Sequence, residues 1–169
     1  EIISLNTQKL FLWISCNFMT VNIILKTKDK LPVSNKRIEK ILNIAAKELK
    51  IKNSAELSIL IAGDQKIKKL NKQYRNKDKI TDVLAFSQVE GEDLVLPQQQ
   101  ENYLGEIIIC FPQIKRQAKK INQLVKDELI LLIIHGFLHL LGYDDQKDKD
   151  YQKMKKIEDK LLKKIYAEI

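Results

Sequence analysis

The pattern of apolar and polar positions divides the chain into short β-branched runs and longer amphipathic stretches. The run from Val21 to Lys26 reads as a first strand. Pro32 and Ser34 then introduce a helix, along which Ile38, Ile41, Leu42, Ala45 and Leu49 recur at helical spacing and predict one face packed on a sheet. Glu56 to Ala62 predicts a second strand, Gly63-Asp64 a turn and cap, and Gln65 to Tyr74 a short basic helix. Thr81 to Phe86 reads as a third strand. The polar stretch Gln88 to Asn102, with Gly91 and Pro97, reads as a loop. Tyr103 to Cys110 contains Ile107-Ile108-Ile109 and predicts a buried fourth strand. Helices over about 112–123, 126–141 and 147–167 fill the remainder. In the last of them Tyr151, Met154, Ile157, Leu161, Leu162 and Ile165 form an apolar stripe that reads as core. No internal repeat appears. The expected architecture is α+β: a single compact domain over residues 19–169, with about four strands in a mixed sheet packed with helices. Residues 1–18 precede the first strand and are expected to be an N-terminal extension outside the fold.

Composition narrows the class. With 169 residues, 44% of them hydrophobic and 31% charged, the chain is long enough for one substantial core and too apolar to be disordered. The longest apolar stretch, Leu129 to Leu141, is too short to cross a bilayer. Cys16 and Cys110 are far apart, so there is neither a disulfide framework nor a Cys-x-x-Cys motif, and a reducing cytoplasm is the simplest setting. The formal net charge of +8 fits either a polyanionic partner or a lysine-rich genome bias. Its distribution says more. Lys66, Lys68, Lys69, Lys72, Arg75, Lys77 and Lys79 meet only Asp78 between Gln65 and Ile80, a segment suited to holding phosphates unless it is only a solvated helix face. For a second cluster, Lys115 to Lys126, the solvated face is the better reading.

The only two histidines, His135 and His139, stand four residues apart inside that apolar stretch. Positions four apart on a helix lie one above the other, about 6 Å apart along the axis, so both imidazoles reach one metal ion. Unpartnered imidazoles would be costly to desolvate in so apolar a helix, and a cation offsets that cost. Gly142 can end the helix in the left-handed conformation and return the chain through Asp144 and Asp145. His-x3-His-x2-Gly-x2-Asp has the spacing of a zincin-like metal helix, two helix ligands and one post-turn ligand, with the fourth position left for water. The glutamate of His-Glu-x-x-His peptidases is replaced by Gly136, which removes the general base of that mechanism and counts against a peptidase.

Three segments together resemble the YbeY endoribonucleases, bacterial rRNA maturation factors. His135-Gly136-Phe137-Leu138-His139-Leu140-Leu141-Gly142-Tyr143-Asp144 looks like that family's signature. Asn71-Lys72-Gln73-Tyr74-Arg75 followed by Thr81-Asp82-Val83-Leu84-Ala85-Phe86 is similar to its second segment, and Leu104-Gly105-Glu106-Ile107 to its third. The resemblance runs from Met19 to the end. It implies a compact α+β fold, one zinc ion held by three histidines, and cleavage of single-stranded RNA in 16S rRNA 3′-end maturation and ribosome quality control. It also implies the ribosome or its small subunit, a ribosomal protein or an assembly GTPase as partners. Asp145 stands where the family has its third histidine, so His135, His139 and Asp145 are the expected ligands. A carboxylate there can admit harder cations such as manganese, and Asp144 is the alternative ligand. The resemblance places Arg75 near the metal cleft, with Arg75 and His135 as the catalytic pair. A guanidinium suits phosphate oxygens, and a helix-end salt bridge with Asp78 or Asp82 is its other reading. Asp82 is a candidate to orient Arg75 or a histidine. Lys66, Lys69, Lys72, Arg75, Lys77 and Lys79 are the expected RNA-binding residues. The alternative function is a ribosome-associated assembly factor whose metal is mainly structural.

Overall fold

Side-chain alternation assigns the two faces of the sheet. In β2 (Glu56–Ala62) and β4 (Tyr103–Cys110), Leu57, Ile59, Ile61, Ile107 and Ile109 enter the main core. Their neighbours Leu60, Ala62, Ile108 and Cys110 enter a smaller cluster on the opposite face. Both faces are covered, which is why these strands read as continuous apolar runs rather than as alternating ones. The computed structural model describes residues 19–27, 29–51, 55–88 and 102–169. Among them β1 (Thr20–Leu25), β2 and β4 run parallel, and β3 (Val83–Ser87) closes the other edge antiparallel to β4, giving the order β1-β2-β4-β3. The result is a single α+β domain.

Five helices cover this sheet among the described residues. Helix α1 (Asn35–Glu48) starts where the Ser34 hydroxyl accepts the Arg37 N–H, and it buries Ile38, Ile41, Leu42 and Ala45 on one face. Helix α2 (Asp64–Arg75) inserts Ile67 into the smaller cluster. Its first residue, Asp64, accepts two hydrogen bonds from Arg116 of α3 (Phe111–Lys120), at 2.7 and 3.0 Å. Helix α4 (Val125–Leu140) lies against β3 and β4 and touches α1, α3 and α5 (Asp148–Glu168). It is apolar almost all round because it is surrounded. No helix among the described residues is long and apolar enough to cross a membrane.

Two boundaries differ from expectation for local reasons. The third strand begins at Val83 rather than Thr81, because the Asp82 carboxylate accepts the Val83 N–H at 2.8 Å and the Thr81 hydroxyl at 3.1 Å. Helix α3 ends at Lys120 rather than 123. Asn122 takes a left-handed φ of 53°, and the Gln123 N–H closes onto the Ala118 carbonyl at 2.8 Å. The expected extension, residues 1–18, and most of the expected loop at 88–102 lie outside the described residues.

Glu48 ties the end of α1 to α5 through Lys160, at 2.8 Å, and Lys164. Hydrogen bonds from these two ammonium groups hold its carboxyl at about 2, far below its ordinary 4.5. The folded value is depressed, so the contribution is complete above 4.5 and disappears as pH falls through about 2. Urea unfolding between these limits should show a shallower loss of stability with acid in Glu48→Gln than in the wild type, and the difference should shrink in high salt.

Candidate metal centre

Helix α4 aims its two histidines at a common point by fixing the far side of each ring. The His135 Nδ1 meets Glu158 Oε2 of α5 at 3.1 Å, and the His139 Nδ1 donates to the Tyr143 carbonyl at 2.9 Å. Each Nε2 is thereby left facing the groove, the two being 3.1 Å apart. The helix ends in a paired closure: the Gly142 N–H reaches the His139 carbonyl and the Tyr143 N–H reaches the Leu138 carbonyl. Gly142 supplies the required left-handed turn with φ of 82°. The turn also delivers the Tyr143 carbonyl to His139. Asp144 Oδ1 accepts the backbone N–H groups of Asp145 and Gln146, holding the loop locally. Asp145 turns back toward the histidines, its Oδ2 lying 3.7 Å from His135 Nε2 and 3.9 Å from His139 Nε2.

These three atoms form a triangle with sides of 3.1, 3.7 and 3.9 Å. A point equidistant from its corners stands about 2.1 Å from each, the distance at which zinc takes imidazole nitrogen and carboxylate oxygen. The donor set therefore fits a divalent ion. His139 is held below the ordinary imidazole value, first by burial and then by the neighbouring His135, which keeps its ring available as a neutral donor at pH 7. Burial acts to raise the Glu158 carboxyl, but hydrogen bonds from His135 and Lys155 outweigh it and leave the pKa lowered. Glu158 is only 4% exposed, and its second oxygen takes Lys155 Nζ at 2.6 Å.

The triangle opens into a groove of about 720 Å³. Arg75, at the C-terminal end of α2, lines it together with Thr81, Asp82, Glu128, Tyr151 and Lys155. Arg75 forms no ion pair among the described residues. Asp78 is held by Lys68 and Lys72, and Asp82 by Thr81, Val83 and Gln117. Asp82 consequently orients neither Arg75 nor a histidine; it braces the start of β3. Lys66, Lys69, Lys72, Lys77 and Lys79 are all exposed and stand outside the groove lining. Gly136 faces the sheet, where a Cβ would come within 2.8 Å of Ile107 Cγ2. A side chain there would enter the core rather than the groove.

The family model described as Endoribonuclease YbeY matches residues 22–166. The chain belongs to the YbeY endoribonuclease family. Curated YbeY relatives include one from Staphylococcus carnosus, 42% identical over 70% of this chain and 77% of its own length. Another, from Dehalococcoides mccartyi, is 39% identical over 87% of this chain and 93% of its own. Both are named Endoribonuclease YbeY. The solution structure of a Thermotoga maritima protein superposes with a TM-score of 0.58 at 28% identity, covering 88% of this chain and 91% of that one.

In this YbeY chain, sequence reasoning passed over Glu158. The signal was present: Glu158 follows Met154 by four residues and precedes Leu161 by three, a carboxylate on the buried stripe of an amphipathic helix. A charged group at a core position calls for a partner, and His135 is that partner. Glu158→Gln should weaken divalent-ion affinity about 10- to 100-fold, read by chelator competition, while leaving the ligand count unchanged. Gly136→Ala should instead lower thermal stability by about 1–3 kcal/mol through crowding against Ile107, with the three ligands intact.

Proposed function

We propose that this protein is a metal-dependent endoribonuclease that cleaves single-stranded RNA in 3′-end maturation of 16S rRNA and in ribosome quality control in the cytoplasm. The observation that carries the reading is the convergence of His135, His139 and Asp145 in one open groove that Arg75 also lines, in a member of the YbeY endoribonuclease family. Two imidazoles and a carboxylate make a nitrogen-and-oxygen set suited to zinc, and the carboxylate leaves room for a harder ion such as manganese. A bound ion would supply Lewis acidity and a more acidic water at neutral pH.

The chain's own residues then divide the work. Arg75 can pair two phosphate oxygens through its planar fork and offset charge that develops as the phosphodiester is cleaved. Glu158 fixes the ring orientation of His135, and the Tyr143 carbonyl fixes that of His139. Tyr151 is 46% exposed on the groove wall and offers a flat face for an unpaired base. Lys66, Lys69, Lys72, Lys77 and Lys79 lie on α2 and on the segment leading from Arg75 to Thr81, where they would hold the flanking backbone. The small ribosomal subunit, with a ribosomal protein or an assembly GTPase, is the partner set proposed.

The test is cleavage of labelled single-stranded RNA at low salt by metal-loaded protein. Arg75→Ala should slow cleavage by about 100-fold or more at unchanged metal content. Asp145→Asn should reduce bound metal and cleavage together. Loaded wild-type protein that binds small subunits but cuts nothing would replace this reading with that of an assembly factor whose ion is structural.

A further inference from the structure

Glu128 is a buried carboxyl in the groove for which the metal centre has no use. It sits in the first turn of α4, seven residues before His135 and so on the same side of the helix, about 10 Å away along the axis. It lines the groove with Arg75, Asp82 and His135. Only 6% of it is exposed, and its Oε2 is fully buried with no hydrogen-bond partner among the described residues. Such an orphaned acceptor costs free energy in the isolated protein, and a ligand that brings a donor recovers it. Asp82 cannot bring one: its oxygens already accept from Thr81, Val83 and Gln117. Burial, with the nearby Asp82 charge in support, raises the Glu128 pKa.

Resting on the RNA-cleavage reading above, we infer that Glu128 is a specificity-determining residue that accepts a hydrogen bond from the exocyclic amino group of a base beside the scissile phosphate. Two carboxyl groups, Asp82 and Glu128, make this end of the groove unsuited to phosphate, so the strand must turn a base toward it. Adenine, cytosine and guanine each carry an exocyclic amino group that can donate to a carboxylate oxygen, and guanine alone adds a ring N–H beside it. Uracil offers one N–H flanked by two carbonyl oxygens, which sets acceptor against acceptor. The groove should therefore prefer amino-bearing bases over uracil at one position.

Equilibrium binding of fluorescent eight-nucleotide strands to the full chain tests this, with strand integrity checked on a gel. Wild-type protein should bind oligo(C) and oligo(A) about tenfold or more tightly than oligo(U). Glu128→Leu, close in volume and without a buried polar atom, should bring these affinities together while keeping or raising the melting temperature. Glu128→Met serves as a second variant of similar size should the leucine fail to fold. Equal binding of all strands by wild type overturns the inference but leaves the cleavage reading intact. So does a preference that survives both variants, or a loss of stability with the preference unchanged. A preference for oligo(C) RNA over oligo(C) DNA that Glu128→Leu abolishes, without base discrimination, would assign a ribose hydroxyl to this position and overturn the base assignment. No binding of any strand at low salt overturns both readings.

Discussion

His135 and His139 stand one turn apart on a helix whose remaining positions are almost all core, and each ring is pinned from behind by an acceptor. That pinning is the constraint on which the candidate centre rests. An imidazole has two nitrogens; tying Nδ1 to Glu158 or to the Tyr143 carbonyl commits Nε2 to the groove. With both rings committed, one more oxygen at the right distance completes a set of three, and the turn at Gly142 brings Asp145 there. The helix closure is therefore part of the site. The same Schellman turn that satisfies the last carbonyls of α4 supplies the acceptor for His139.

The surroundings follow from fitting this helix against a sheet. β4 presents Ile107 to α4, and only a residue without Cβ fits at position 136. The position that carries a general base in His-Glu-x-x-His peptidases here faces β4. Polar groups that can act on a substrate must come from elsewhere: Arg75 from the end of α2, Asp82 from the approach to β3, and Lys155 and Tyr151 from α5. Three separate elements thus build the groove walls around one rigid helix. Rigidity of this kind favours metal binding, because the ligands need little rearrangement to reach coordinating distance.

Charge is divided between the groove and its outer slopes. The exposed lysines of α2 carry a sequence-independent attraction for a polyanion, while the groove itself mixes Arg75, without an ion pair among the described residues, with buried carboxyl groups. Such a division fits a strand gripped by its backbone outside and inspected more selectively inside. The chain belongs to the YbeY family, and a carboxylate stands at position 145 beside its two helix histidines.

Elements and their faces were legible in the sequence because they rest on local rules. The 56–62 and 103–110 strands, the five helices and the glycine that ends α4 follow from apolar periodicity, capping and backbone freedom, all readable over a few residues. The pairing of His135 with His139 was legible for the same reason, since helical spacing alone sets it. Contacts between elements distant in the chain were not. That His135 meets Glu158, twenty-three residues on, and that Asp82 braces a strand instead of serving Arg75 depend on how α5 and β3 pack beside α4. Periodicity says which side of a helix is buried. Only tertiary packing decides what that side is buried against, and so which buried carboxyl finds a partner and which, like Glu128, is left without one.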